Sequence, residues 1–378
     1  MPARSSGLWA YKRSSGGGWP AQPPPPAVYT RPPLVPMTQY VAYVADRRGV
    51  ILGELQGALE SVSWKADGYG TAAMILAPAA ARVVAPLLEY GNRVLIEFDN
   101  GLPAWGGVID PPREANTSQM RVQFYEAAYM LTWRVLERFV FGGATGRAAT
   151  ALVNIVAAAE VGIGTNYATA AAGPVYEGEY LQETALAMID RVRGLDAALH
   201  WYVEPRPSSS RLVLFELVTY RETTRGGGDD VVLMAGHNFV QMSTLEQGQI
   251  ANRVSTSSAA GDTSEVYVAT DSESVGRFGR RDLYFSTETI AAGEEEDAER
   301  QARERLAQTK TPTLRIQGTA LNIEPGAYRR LRLGARARLE SYAPPLAGSL
   351  SIVGMDFSPA AGTVSLVFDD ASRVLANG

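Results

Sequence analysis

Two histidines, His200 and His237, and a scatter of carboxylates are all that this 378-residue chain offers for acid–base work, and it has no cysteine. A histidine oriented by an acid can activate a nucleophile, and Asp196, Asp229 and Asp230 stand near the two histidines in sequence, so a His-Asp pair can be drawn. Spacing gives that pair no support. There is no HExxH, and without thiolates no zinc pattern can be completed. Asp229 and Asp230 follow three glycines, and Asp369 and Asp370 close a strand. Both pairs read as solvated turn or strand-end acids, whereas glycoside cleavage needs two carboxylates held at a fixed separation. Gly142, Gly143 and Gly146, like Gly162 and Gly164, lack both the GxGxxG spacing and the Lys-Ser/Thr ending of a phosphate loop, and read as turns and helix caps. No enzyme, cofactor or metal is expected, with a glycan-cleaving enzyme as the least favoured alternative.

Residues suited to surfaces are more numerous. Arg329, Arg330, Arg332, Arg336 and Arg338 form a locally basic stretch that could touch DNA passing through a channel. Its alternation also fits a strand whose polar face is solvated or pairs with acids. Trp64, Trp105, Trp133 and Trp201 could stack on sugars, the basis of a carbohydrate-binding or adhesive alternative, although single tryptophans in periodic segments are more often core anchors. Trp9, Tyr11, Trp19 and Tyr29 are spaced through a segment containing Gly16 to Gly18, Pro23 to Pro26, Pro32, Pro33 and Pro36, a composition that denies helix and sheet. That segment reads as an arm, either solvated or docking its aromatics Trp9, Trp19 and Tyr29 on a neighbouring subunit.

The elements that must carry these residues follow from composition and period. With 46% hydrophobic residues the sequence is able to bury a large core, and 35 Lys and Arg against 40 Asp and Glu leave a formal charge of -5, too mild and mixed for an electrostatic stripe along nucleic acid. No run approaches the roughly 18 to 20 apolar residues of a spanning helix, and the first residues lack a secretory layout, so a soluble, cytoplasmically made protein is expected.

Strands dominate the first folded block. Val41, Tyr43 and Ala45 alternate, and the clearest unit is a half-buried hairpin over Asn92 to Ile109, with Asp99, Asn100 and Gly101 at its turn and Gly106 and Gly107 in its return strand. Pro111, Pro112 and the polar Arg113 to Ser118 are expected to end that strand before Met120 to Phe124. Helical spacing then appears at Gly146 to Glu160 and at Leu181, Ala185, Met188, Ile189 and Val192, followed by a hairpin through Leu199 to Val203 and Leu212 to Leu217. Glu294 to Gln308 predicts a further helix, with Glu296 to Arg300 and Glu299 to Arg303 as i,i+4 pairs. Strands are predicted at Thr313–Ala320, Arg330–Leu333, Arg336–Ser341, Ser349–Met355 and Thr363–Phe368. The fold class is therefore mainly β with an α+β middle region, as two barrel-like domains plus smaller helix-containing domains. The boundaries are an arm over 1–38, a strand-rich domain over 39–125, an α+β domain over 126–224, a connector and helix-containing domain over 225–312 and a closing strand-rich domain over 313–378.

The order of these features resembles the hub or baseplate-hub structural proteins of long-tailed phages and related injection systems. The resemblance rests on the Asn92 to Ile109 hairpin, the strand-Gly146-helix passage over Phe139 to Ile155, and the helix and aromatic strand over Leu181 to Val203. It continues through Ile250, Asn252, Arg253 and Val254, Gly276 to Arg281, and the Ala298 to Leu306 helix leading to Pro325, Gly326 and Leu331 to Gly334. Many hub proteins carry Gly-Asp where this sequence has Gly334 and Ala335. The resemblance implies a structural, non-enzymatic protein of the virion tail, made in the host cytoplasm. It would assemble as a homotrimer, join the tail tube to distal tip or baseplate proteins and serve host attachment. Two barrel-like domains in each of three subunits would present six similar faces to a six-fold tube, with Trp9, Trp19, Tyr29, Arg330, Arg332, Arg336 and Arg338 as interface residues and passing DNA as a further contact.

Overall fold

The computed structural model describes residues 40–370, other than 116–118, 144–145, 167–174, 197, 208–211, 222–230, 248–249, 259–265, 288–297, 300–301, 304, 307–308, 311–312, 325–326 and 341–348. The arm and the 225–230 connector lie outside the described residues.

Seven strands form the first group: β1 (Tyr40–Ala45), β2 (Ile51–Leu55), β3 (Ala58–Lys65), β4 (Thr71–Leu76), β5 (Arg93–Phe98), β6 (Trp105–Ala115) and β7 (Met120–Glu126), in the order β2-β1-β5-β6-β7-β4-β3. A short helix, α1 (Pro78–Val84), leads from β4 towards β5. The expected hairpin is β5–β6, registered from Arg93 opposite Val108 to Ile96 opposite Trp105. It is buried on both faces rather than one. Val94, Ile96, Trp105 and Ile109 enter the main core, while Leu95 and Val108 belong to a second core shared with the helices. Gly106 is required there, because a Cβ would lie 2.7 Å from Pro205 Cβ and 2.9 Å from the Phe215 ring. β6 also runs on through Pro111 and Pro112 to Ala115, because a shift of register between Ile109 and Arg113 accommodates residues that cannot donate to a ladder.

The middle region is α+β, in the order β8 (Val135–Phe141), α2 (Ala148–Ala159), β9 (Ile163–Gly164), β10 (Gly178–Thr184), α3 (Ala185–Leu195), β11 (Leu199–Pro207) and β12 (Val213–Arg221). β8 pairs with β10, and β12 pairs with both β11 and β9. Leu152, Ile155 and Val156 of α2 and Met188, Ile189 and Val192 of α3 face Trp201 and Phe215 in the second core. Leu181, which helical spacing groups with α3, instead lies exposed on β10. The helix starts only after Thr184, whose hydroxyl accepts from Ala187 N at 3.2 Å as its N-cap.

A small unit sits within the last third of the chain. After β13 (Val231–Met234) and β14 (Phe239–Gln247) come β15 (Arg253–Ser258), β16 (Val266–Thr270), α4 (Ser272–Phe278) and β17 (Asp282–Thr287), the last pairing parallel to β15. Its core holds Ala251, Val254, Ala269, Ala302 and Leu306. Residues 298–299, 302–303 and 305–306 are helical, as predicted from their spacing, and Arg303 pairs with Glu299.

The second strand group comprises β13, β14, β18 (Thr313–Ala320), β19 (Arg336–Glu340), β20 (Leu350–Ser358) and β21 (Thr363–Asp370). Its order is β14-β18-β21-β20-β19-β13, so pairing, rather than chain order, places β13 and β14 with the closing strands. A short turn bearing the isolated Ala235–Phe239 bridge connects β13 to β14. β20 pairs with β3 as well, Gly354 opposite Lys65 and Phe357 opposite Val62, and this seam fuses both groups into one 13-stranded sheet. The strand predicted at Arg330–Leu333 is absent from that sheet. A single 3-10 turn, Tyr328–Arg330, stands there, because Tyr328, Leu331 and Leu333 are drawn into the core and the Tyr328 hydroxyl donates to Gly362 O at 2.7 Å.

Candidate functional site

Asp196 pairs with Arg221, Asp229 and Asp230 lie outside the described residues, and the Asp369 carboxylate accepts from Ser351 N at 2.9 Å across the β20–β21 pair. His200 meets Asp67, in the β3–β4 turn, with Nδ1 2.6 Å from Oδ2. That carboxylate has further partners. Arg193 reaches the same oxygen at 3.0 Å, Trp201 N donates to the other at 3.1 Å, and the imidazole stacks on Tyr220. With His200 only 4% exposed, the pair fastens a turn.

A second carboxylate holds the same turn. Glu126, at the end of β7, is buried and accepts from Gly70 N at 2.6 Å and Lys65 N at 3.3 Å. Burial pushes its pKa up to about 8 against the opposing pull of those backbone donors and of Lys65. Asp190, one turn along α3 from Arg193, is raised to about 6 by burial and then by Asp67. Asp67 itself takes a left-handed φ of 55°, which an Asp-Gly turn tolerates. Asp-Gly is the one signal in the sequence that marks this turn, and nothing local indicates a partner more than 130 residues away.

Two asparagines carry more structure than their sequence context suggests. Asn238 is fully buried, its Oδ1 accepting from Met234 N at 2.6 Å and its amide donating to Val232 O at 3.0 Å, so it shapes the β13–β14 corner. Asn252, in the Ile250 to Val254 segment, accepts from Arg281 N at 2.8 Å and donates to Gly279 O at 2.7 Å, pinning β15 to the start of β17.

The basic stretch is dispersed. Arg336 and Arg338 share the outer face of β19 while Ala337 and Leu339 point inward, Arg338 pairs with Glu340 at 2.6 Å, and Arg329 and Arg330 pair with Glu324. Arg332 is exposed beyond the 3-10 turn. Trp9, Trp19 and Tyr29 lie outside the described residues. Trp64, Trp105 and Trp201 are core residues, and Trp133 is 42% exposed. Among the described residues no three metal-ligating side chains gather, and no helix is long and apolar enough to cross a membrane.

No protein-family model matches the sequence, and no curated protein sequence matches it. Solved structures do. The 43 kDa tail protein of prophage MuSo2 from Shewanella oneidensis superposes with a TM-score of 0.54 at 13% identity, over 89% of this chain and 99% of that one. The tail protein from Neisseria meningitidis MC58 superposes with a TM-score of 0.53, also at 13% identity, over 89% and 98%. At such identity the shared property is the fold, and the chain has the fold of these tail proteins.

Proposed function

We propose that the protein is a structural component of a phage tail, a hub at its distal end that joins the tail tube to tip or baseplate proteins and has no catalytic role. The observation that carries this reading is the likeness to the two tail proteins along nearly their whole length. A ring of subunits buries many modest contacts without a deep site, and a sheet with free edges and exposed faces suits that task. In this reading three copies close the ring, and the two fused strand groups of each supply six faces to a six-fold tube. The β8–β12 region sits at the periphery, and the arm with Trp9, Trp19 and Tyr29 clamps a neighbour. Arg332, Arg336 and Arg338 face an acidic tail protein or the passing DNA.

Light scattering and averaged electron images of the purified protein at several concentrations test the proposal. A ring of three with an axial opening supports it. A monomer at every concentration, together with no binding to isolated tail tubes, would overturn it.

A further inference from the structure

A cleft of about 560 Å³ opens where the β1–β2 turn, the start of β5 and the C-terminal end of α2 meet. At its floor lies Arg93, 7% exposed, with Nη1 donating to Val213 O at 2.7 Å and the guanidinium 4.9 Å from the centre of the Phe215 ring. Among the described residues no carboxylate forms an ion pair with it, and Asp46 acts on it only through space. A guanidinium withdrawn this far from water without a counter-anion is an uncommon arrangement, since buried charges are ordinarily paired.

The walls suit an anion with an apolar body. Arg47 and Arg134 are exposed at the rim, and Arg47 is braced by two bonds to Tyr90 O at 3.1 and 2.9 Å. Tyr90 and Trp133, 55% and 42% exposed, supply aromatic surface. Two acids also line the cleft, but Asp110 is engaged by the Tyr129 hydroxyl and Glu160 lies exposed at the end of α2, so the buried charge is cationic.

We propose that this cleft binds a carboxylate carried on an apolar or aromatic peptide segment of a partner protein. The carboxylate takes the unused guanidinium edge of Arg93, Arg134 and Arg47 close over it, and the accompanying apolar group covers Trp133. The terminal carboxylate of a polypeptide and an internal Asp or Glu offer the same chemistry.

The test is Trp133 emission in the full-length protein, with Trp133→Phe as the blank, titrated with N-acetylphenylalanine, with the internal-acid peptide acetyl-Phe-Asp-amide and with N-acetylphenylalaninamide. A saturable shift with either carboxylate probe is expected, at least about tenfold weaker in Arg93→Met. The better of the two probes identifies the source of the carboxylate. No saturable shift with either by about 10 mM, or an equal response to the amide, overturns the proposal. Should Arg93→Met fail to fold, the exposed double variant Arg47→Gln and Arg134→Gln decides, severalfold weaker binding supporting the site and unchanged affinity overturning it.

Discussion

Replacing Glu126 with glutamine tests the buried carboxylate directly. In the folded protein its pKa stands at about 8, against an ordinary value of 4.5, because burial penalises the charge. A raised folded pKa contributes stability that is complete below the unfolded value and is lost as pH rises through the folded one. Between those values the unfolded state releases a proton that the folded state retains, so stability falls by up to about 1.4 kcal/mol per pH unit. Integrated from pH 4 to pH 8, the loss is on the order of 4 kcal/mol. Glutamine keeps an acceptor for Gly70 N but does not titrate in this range. Urea unfolding of both proteins across this range, with the difference taken at each pH, removes every titration they share. Glu126→Gln should gain on the parent as pH rises, and the difference at pH 8 should exceed that at pH 4 by about 4 kcal/mol. A constant difference at every pH would show that Glu126 is ionised in the fold and would refute the reasoning.

Asn238→Ala should cost about 1 to 3 kcal/mol by leaving the partly buried Met234 N and Val232 O unpaired, read as a lower urea midpoint. Gly106→Ala should destabilise by about 1 to 3 kcal/mol in thermal unfolding, because the new methyl meets Pro205 Cβ and the Phe215 ring. Arg338→Gln should leave the melting temperature nearly unchanged, since its exposed pair with Glu340 contributes less than about 1 kcal/mol, while weakening association with tail tubes or DNA if the outer face of β19 is an interface.

Local patterns make most single elements legible. Alternation and turn residues locate β5–β6 and β11–β12, and helical spacing locates α2, most of α3 and the helical residues 298–299, 302–303 and 305–306. Pairing is not legible, because the register that sets Lys65 opposite Gly354 leaves no mark on either segment's own period. The same limit hides the partner of His200, since Asp67 reaches it only after β3–β4 and β11 are brought together by the fold. Leu331 and Leu333 alternate like a strand yet belong to a core-filling turn, a case in which packing overrides periodicity. α4 escapes the periodic signal because seven residues around Gly276 carry too short a pattern. Its anchor, Asp271 accepting from Ser274 N at 2.8 Å, is a capping signal without an apolar stripe behind it.

The β3–β20 seam also sets a schedule for the protein's birth on the ribosome. β3 emerges early, but its outer edge finds its partner only after about 290 further residues have been made, a delay of roughly 15 to 60 s at ordinary rates of synthesis. Throughout that interval the first strand group offers an unpaired edge to its surroundings, the kind of surface on which nascent polypeptides join wrongly with one another. The order of completion is then fixed: the last strands close the first group as well as their own, and synthesis interrupted before residue 350 leaves both ends of the molecule unfinished.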